Sequence, residues 1–133
     1  MTNSYARCAT LAYQLCTSQP LTPAEAWQQA AASVFPHSEA GRKKGCPKNA
    51  FLGLAAAGYL QDIAPFAHRS KNGDYACRAA QILHAHRAGS PLPDAKMLWL
   101  TVMHDIGQMD KRSNSQMDVA LALYRIGVMG QAV

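Results

Sequence analysis

Three short polar runs carry the residues best equipped for chemistry. The first, GRKKGCPKN at residues 41–49, sets Arg42, Lys43 and Lys44 before a glycine, a thiol (Cys46), a proline, Lys48 and Asn49. The second, HRSKNGD at residues 68–74, offers Arg69, Ser70, Lys71 and Asn72. The third, KRSNSQMD at residues 111–118, offers Asn114, Ser115 and Gln116. Each run leads into an apolar helical pattern, so each is expected at a helix start. The first N–H groups of a helix have no internal partner and carry partial positive charge. With lysine and arginine beside them, the chemistry to expect is the holding of a phosphate or carboxylate. If the three runs meet at one end of the molecule, Arg42, Lys43, Lys44, Lys48, Asn49, Arg69, Ser70, Lys71, Asn72, Asn114, Ser115 and Gln116 form one anion-binding site. The plainer alternative is three cap-forming loops that face only water. The first run is not a P-loop, because the G-x-x-x-x-G-K-[ST] spacing is missing.

Other chemistries compete for the same residues. A thiol at a helix N-terminus among lysines has a lowered pKa, which makes Cys46 the nucleophile if the protein is a small enzyme. A base must then lie within hydrogen-bond reach, and neither His37 nor His68 is fixed there by sequence. His104-Asp105 is an HD dyad, with His68, His84 and His86 upstream and Asp118 downstream. That order resembles the metal sites of helical phosphohydrolases. His84 and His86, two apart, point to different faces of a helix, and the chain is short for such a fold. No metal site and no cofactor is therefore expected. A helix–turn–helix is a third option, with AEAWQQAAASVF followed by PKNAFLGLAAAGYL. The outward positions of its second helix are mostly alanine and glycine, so phosphate contact by the lead-in is plausible and base reading is not.

The elements that must position these groups are helical throughout. Tyr5, Cys8, Ala12, Leu15 and Cys16 recur at helical spacing. Thr22, Pro23 and Glu25 form a capping box with proline at the first helical position, and that helix ends near Phe35-Pro36. A short helical turn is expected over Ser38–Lys44. A further helix starts at Pro47, with Phe51, Leu54 and Ala55 inward and Gly58 as its left-handed stop. QDIAPFAHRSKNGD, residues 61–74, lacks periodicity and carries Pro65 and Gly73, so it reads as a loop. The next helix opens near Asn72–Asp74 and turns Tyr75, Ala79, Ile82 and Leu83 inward. AKMLWLTVMH is apolar on nearly every side, which predicts a central helix. In the last helix Ser113 with Gln116, or Ser115 with Asp118, is expected to cap, and Gly127 to end it. The pattern predicts an all-α fold, a compact bundle of about six short helices, in a single helical domain over residues 1–133.

Composition narrows the function classes. Nearly half of the 133 residues are hydrophobic and 16% are charged, which excludes a disordered chain. No apolar run is long enough to span a membrane and the N-terminus does not read as a secretory signal, so a cytoplasmic protein is expected. The cysteines at 8, 16, 46 and 77 include no C-x-x-C pair and are expected as reduced, mostly buried thiols. The net charge of +5 is uneven. Residues 42–87 hold eight basic and two acidic residues, and the rest of the chain holds five basic and six acidic. Such an excess favours an anionic partner, either nucleic acid or an acidic protein. The pieces AEAWQQAA, FPHSEA, KKGCPKNAFLGL, RSKN and NSQMDVALAL, in this order, resemble a family of small bacterial and phage proteins grouped as a domain of unknown function. The resemblance runs over about residues 22–126 and implies no activity, ligand or catalytic residue. Its pattern contains the three polar runs and not the HD dyad. The expected function is thus a basic binding module, a regulator or inhibitor acting on a nucleoprotein, with a Cys46 enzyme and a purely structural protein as alternatives.

Overall fold

Prolines, glycines and small polar side chains set where each helix begins and ends. The computed structural model describes residues 3–86 and 89–130. Helix α1 (Ser4–Ser18) starts on Asn3, whose Oδ1 accepts from the N–H groups of Tyr5 and Ala6 at 2.8 and 3.3 Å. Helix α2 (Pro23–Val34) has the expected capping box: Thr22 Oγ1 accepts from the Glu25 N–H, and the Glu25 carboxylate accepts from the Thr22 N–H. Hydrogen bonding from Thr22, its backbone N–H foremost, holds the Glu25 carboxyl below its usual range. Ser38 caps the five-residue α3 (Glu39–Lys43). Helix α4 (Gly45–Ala56) starts two residues earlier than expected. Pro47 then falls in the first turn, where a missing N–H costs no internal bond. Gly58, at φ 89°, ends α4. The N–H groups of Gly58 and Tyr59 turn back onto the carbonyls of Ala55 and Leu54. Ser70 caps α5 (Lys71–His84), and Asp94 caps α6 (Ala95–Ile106). Helix α7 (Gln116–Arg125) stops at Gly127, whose φ of 80° also suits glycine. Among the described residues, six helices of ten or more residues plus the short α3 make up an all-α fold.

Helix α4 is the centre. Every residue from Ala50 to Ala56 is buried, and α2, α5 and α7 all pack on it. The closest approach is to α5, at Gly53 and Gly73. A Cβ added to Gly53 would stand 2.3 Å from the Gly73 Cα, so only two glycines permit this crossing. Next to it the Cys77 thiol reaches the Gly53 carbonyl at 3.5 Å. On the α2 side, Trp27 packs on Phe51 with ring centroids 5.4 Å apart. Helix α1 packs on α2 and α7, and α6 closes the bundle against α5 and α7. Beyond α7 the chain returns beside residues 59–61 through an isolated antiparallel bridge between Leu60 and Met129. Among the described residues no strand forms, and no helix is long and apolar enough to cross a membrane.

One expectation is corrected. The apolar α6 is outer rather than central, with Met97 54% and Leu100 41% exposed. What makes a helix central here is small residues, because they let neighbouring backbones approach from several sides. Gly53, Ala50, Ala55 and Ala56 give α4 that property. The large side chains of α6 hold its neighbours to one face.

The glycine pair makes a direct prediction. Gly53→Ala forces α4 and α5 apart and is expected to cost about 3 kcal/mol, at the upper end for overpacking. Gly45→Ala meets nothing closer than 3.7 Å and should change stability by less than about 0.5 kcal/mol. Urea denaturation of both variants checks the difference.

Candidate functional site

The Gly53–Gly73 crossing places the start of α5 against the first turns of α4. A Cβ on Gly73 would lie 3.3 Å from the Asn49 carbonyl, so the two backbones are nearly in contact there. Helix α7 packs on α4 and α5 along its apolar face, and one polar side chain sets its start against that of α5. Gln116, only 2% exposed, donates from Nε2 to Asn72 Oδ1 at 2.9 Å and accepts the Asn114 N–H on Oε1 at 2.6 Å. A buried amide of this kind must have its partners, so it fixes the distance between the starts of α5 and α7. The connection between α6 and α7 is fastened as well. Tyr75 donates its hydroxyl proton to Gln108 Oε1 at 2.6 Å, and the Trp99 indole N–H donates to the Lys111 carbonyl at 3.2 Å. The two rings meet edge to face at 5.4 Å.

Between these parts lies a cleft of about 290 Å³, lined by Cys46, Lys71, Asn72, Tyr75, Trp99, Lys111, Arg112, Asn114 and Gln116. Lys71, Lys111 and Arg112 form no ion pair among the described residues. Helix starts differ in how their first N–H groups are satisfied. Five of the seven are closed by a side chain. The two without a side-chain cap are α4 and α7, both of which border this cleft. The expected caps on α7 do not form. Ser115 takes a left-handed conformation at φ 68°, its hydroxyl makes no capping bond, and Gln116 turns back to Asn114 instead.

Of the residues expected at the site, the cleft brings together Cys46, Lys71, Asn72, Asn114 and Gln116. Others are engaged elsewhere. The Arg42 guanidinium donates to the carbonyls of Phe35 and Pro36 at 2.8 and 3.3 Å and closes the end of α2. Lys43 pairs with Glu39 at 2.6 Å, and the Lys44 ammonium sits 5.5 Å from the centre of the Tyr5 ring. Lys48 lines a separate groove with Arg42, Lys43 and Trp27. Ser70 caps α5 by accepting from the Gly73 N–H at 2.9 Å, and exposed Arg69 stands 4.0 Å from Asp74. Asn49 is half-buried and does not line the cleft. Sequence reasoning missed Tyr75, Trp99, Lys111 and Arg112. The two cations open the third polar run, so their charge was a usable signal. The two rings come from inward faces of α5 and α6, where spacing gives only a core position.

The competing chemistries lack geometry. No histidine lines the cleft that holds Cys46. His68 lines a different cavity, of about 550 Å³, together with Cys77. Burial, and secondarily the Asp74 charge, pushes the Cys77 thiol up to about 11, which keeps it protonated. In the HD dyad the Asp105 carboxylate accepts from Arg78 Nε and Nη2 at 3.0 and 2.7 Å. That contact holds its carboxyl below the usual range, and it joins α5 to α6. Among the described residues no group of three His, Cys, Asp or Glu side chains stands where it could hold a metal ion. The helix–turn–helix reading fails because its second helix, α4, is buried from Ala50 to Ala56. All four cysteines are free; Cys8 is buried and the other three are partly so.

Gln116→Ala leaves the Asn114 N–H and the Asn72 amide without their partner and is expected to cost about 2 kcal/mol. Combined with Asn72→Ala it should show a coupling of about 1 kcal/mol in a double-mutant cycle followed by chemical denaturation.

The chain has no match among curated proteins or solved structures. A family model matches residues 2–130, nearly its full length. The chain thus belongs to a family of unknown function (DUF6979).

Proposed function

We propose that this protein is a binding module whose cleft takes a phosphate of a nucleic-acid backbone. The observation that carries the reading is the pairing of two helix starts without side-chain caps with three cations that have no ion pair among the described residues, all around one cleft. Backbone N–H groups at a helix start select for an oxygen anion, and the aligned peptide dipoles favour its charge. Lys71, Lys111 and Arg112 add full positive charge at the rim. No acidic side chain lines the cleft to compete for them. The excess of basic residues over residues 42–87 supplies a long-range attraction that suits a polyanion better than a small neutral ligand. Contact of this type positions a strand without reading its bases, so binding is expected to be indifferent to sequence.

Fluorescence anisotropy with a labelled single-stranded oligonucleotide tests this. Neutralising two or three phosphates gives a plot of log affinity against log salt with a slope between about −1.4 and −2.1, since each contributes about −0.7 on single strands. The triple variant Lys71→Ala, Lys111→Ala, Arg112→Ala should lose at least about tenfold in affinity at low salt and bring the slope near zero. Arg42→Ala, which alters the end of α2, should leave both nearly unchanged. Absence of binding at low salt, or a triple variant that binds like the parent, overturns the proposal. Polyglutamate that competes as well as the oligonucleotide would reassign the cleft to an acidic protein.

A further inference from the structure

A second concave surface lies between α1, the end of α2 and α7. It encloses about 540 Å³ and shares no residue with the cleft. Its α1 wall is the stripe Ala6, Arg7, Thr10, Leu11 and Gln14, which spans about two helical turns, or roughly 12 Å. Val34, Ala122 and Ile126 complete an apolar floor. Leu11 and Val34 are only partly covered, and Ile126 is 45% exposed. Thr10 turns its hydroxyl back to the Ala6 carbonyl at 3.1 Å, so the floor asks for no polar partner. Charge is one-sided. Arg7 and Arg125 both line the groove, no acidic residue does, and neither arginine is ion-paired among the described residues. The one acid on α7, Asp118, is two turns before Arg125.

We infer that this groove docks an acidic amphipathic helix of a partner protein. An apolar stripe two turns long matches anchors at positions i, i+3 or i+4 and i+7 of an incoming helix. Two arginines with no acidic side chain lining the groove, where the only acid on α7, Asp118, feels Arg125 from two turns away, favour carboxylates flanking those anchors. An apolar helix without charge would gain nothing from the two guanidinium groups, of which Arg7 has only a 3.4 Å contact to the Ser4 hydroxyl, and a basic one would be repelled. The same charge separates this surface from the exposed apolar face of α6, where Met97 and Leu100 stand out with no charge pattern that names an occupant.

Two synthetic helices of roughly 14 residues, long enough to be helical when bound, test the inference. Both carry leucines at i, i+3, i+4 and i+7; one fills the other positions with glutamate, the second with lysine. Each is titrated into the isotope-labelled full chain and followed by amide chemical shifts. The glutamate helix should move amides of residues 6–14, 34 and 122–126, and the lysine helix should bind at least about tenfold more weakly. Arg7→Glu with Arg125→Glu should reverse that preference. Both arginines are exposed, and a thermal melt by circular dichroism verifies that the double variant is folded. Unmoved groove amides, equal binding of the two helices, or an unreversed preference in the folded double variant would each overturn the inference. None of these readouts depends on whether the cleft binds nucleic acid.

Discussion

The contact between Gly53 and Gly73 sets the geometry of the rest. Two helices meet there at backbone distance, and neither position has room for a Cβ. Close approach at one point fixes where α5 begins relative to α4, since Ser70 and Lys71 lie within one turn of Gly73. The first turn of α5 then stands beside the first turns of α4, and Asn72 is presented to Gln116. Without that contact the buried amide of Gln116 would lose its partner, and α7 its registration. Packing at a glycine pair thus decides the position of the polar groups one to three residues before Gly73. The link runs from residue size, through helix spacing, to the shape of a cleft.

Local features of the fold were legible in the sequence and global ones were not. Thr22, Pro23 and Glu25 act within four residues of one another, so their capping box can be read without knowing any neighbour. The same is true of Gly58 and Gly127, which end helices through their own backbone freedom. The rank of a helix within the bundle is different. AKMLWLTVMH is more hydrophobic than GCPKNAFLGLAA in appearance, yet the second is central. Hydrophobicity tells how much surface a helix prefers to bury. Side-chain size tells how closely others can come, and that term dominates here.

The site divides along the same line. That the polar runs begin helices follows from their own residues. Which charges stay open does not. Three consecutive cations at residues 42–44 are the strongest charge signal in the chain, yet one closes α2, one pairs with Glu39 and one lies over Tyr5. Glu39 is one turn before Lys43 in the same helix, but the Tyr5 ring and the end of α2 reach these cations only through the fold, which composition does not show. Lys71, Lys111 and Arg112 give a weaker signal and form no ion pair among the described residues. A dense run of like charge attracts partners from within its own protein, because the fold gains from neutralising it.

Helix capping gives a measure of what the cleft costs the fold. A side-chain cap is worth about 1 kcal/mol, and five of the seven helices have one. Helix α4 begins on Lys44, a residue whose side chain cannot accept from an N–H, and α7 begins on a serine whose backbone is turned away from capping. If capping were absent at random, the two open starts would have no reason to share a cleft, and they do. Both starts lack the side-chain cap that the other five helices have, so their first N–H groups receive no contact from their own capping residues. An anion seated between the two starts would supply to both helices the contact that their own residues withhold, which ties ligand binding to the stability of α4 and α7 through the same backbone groups.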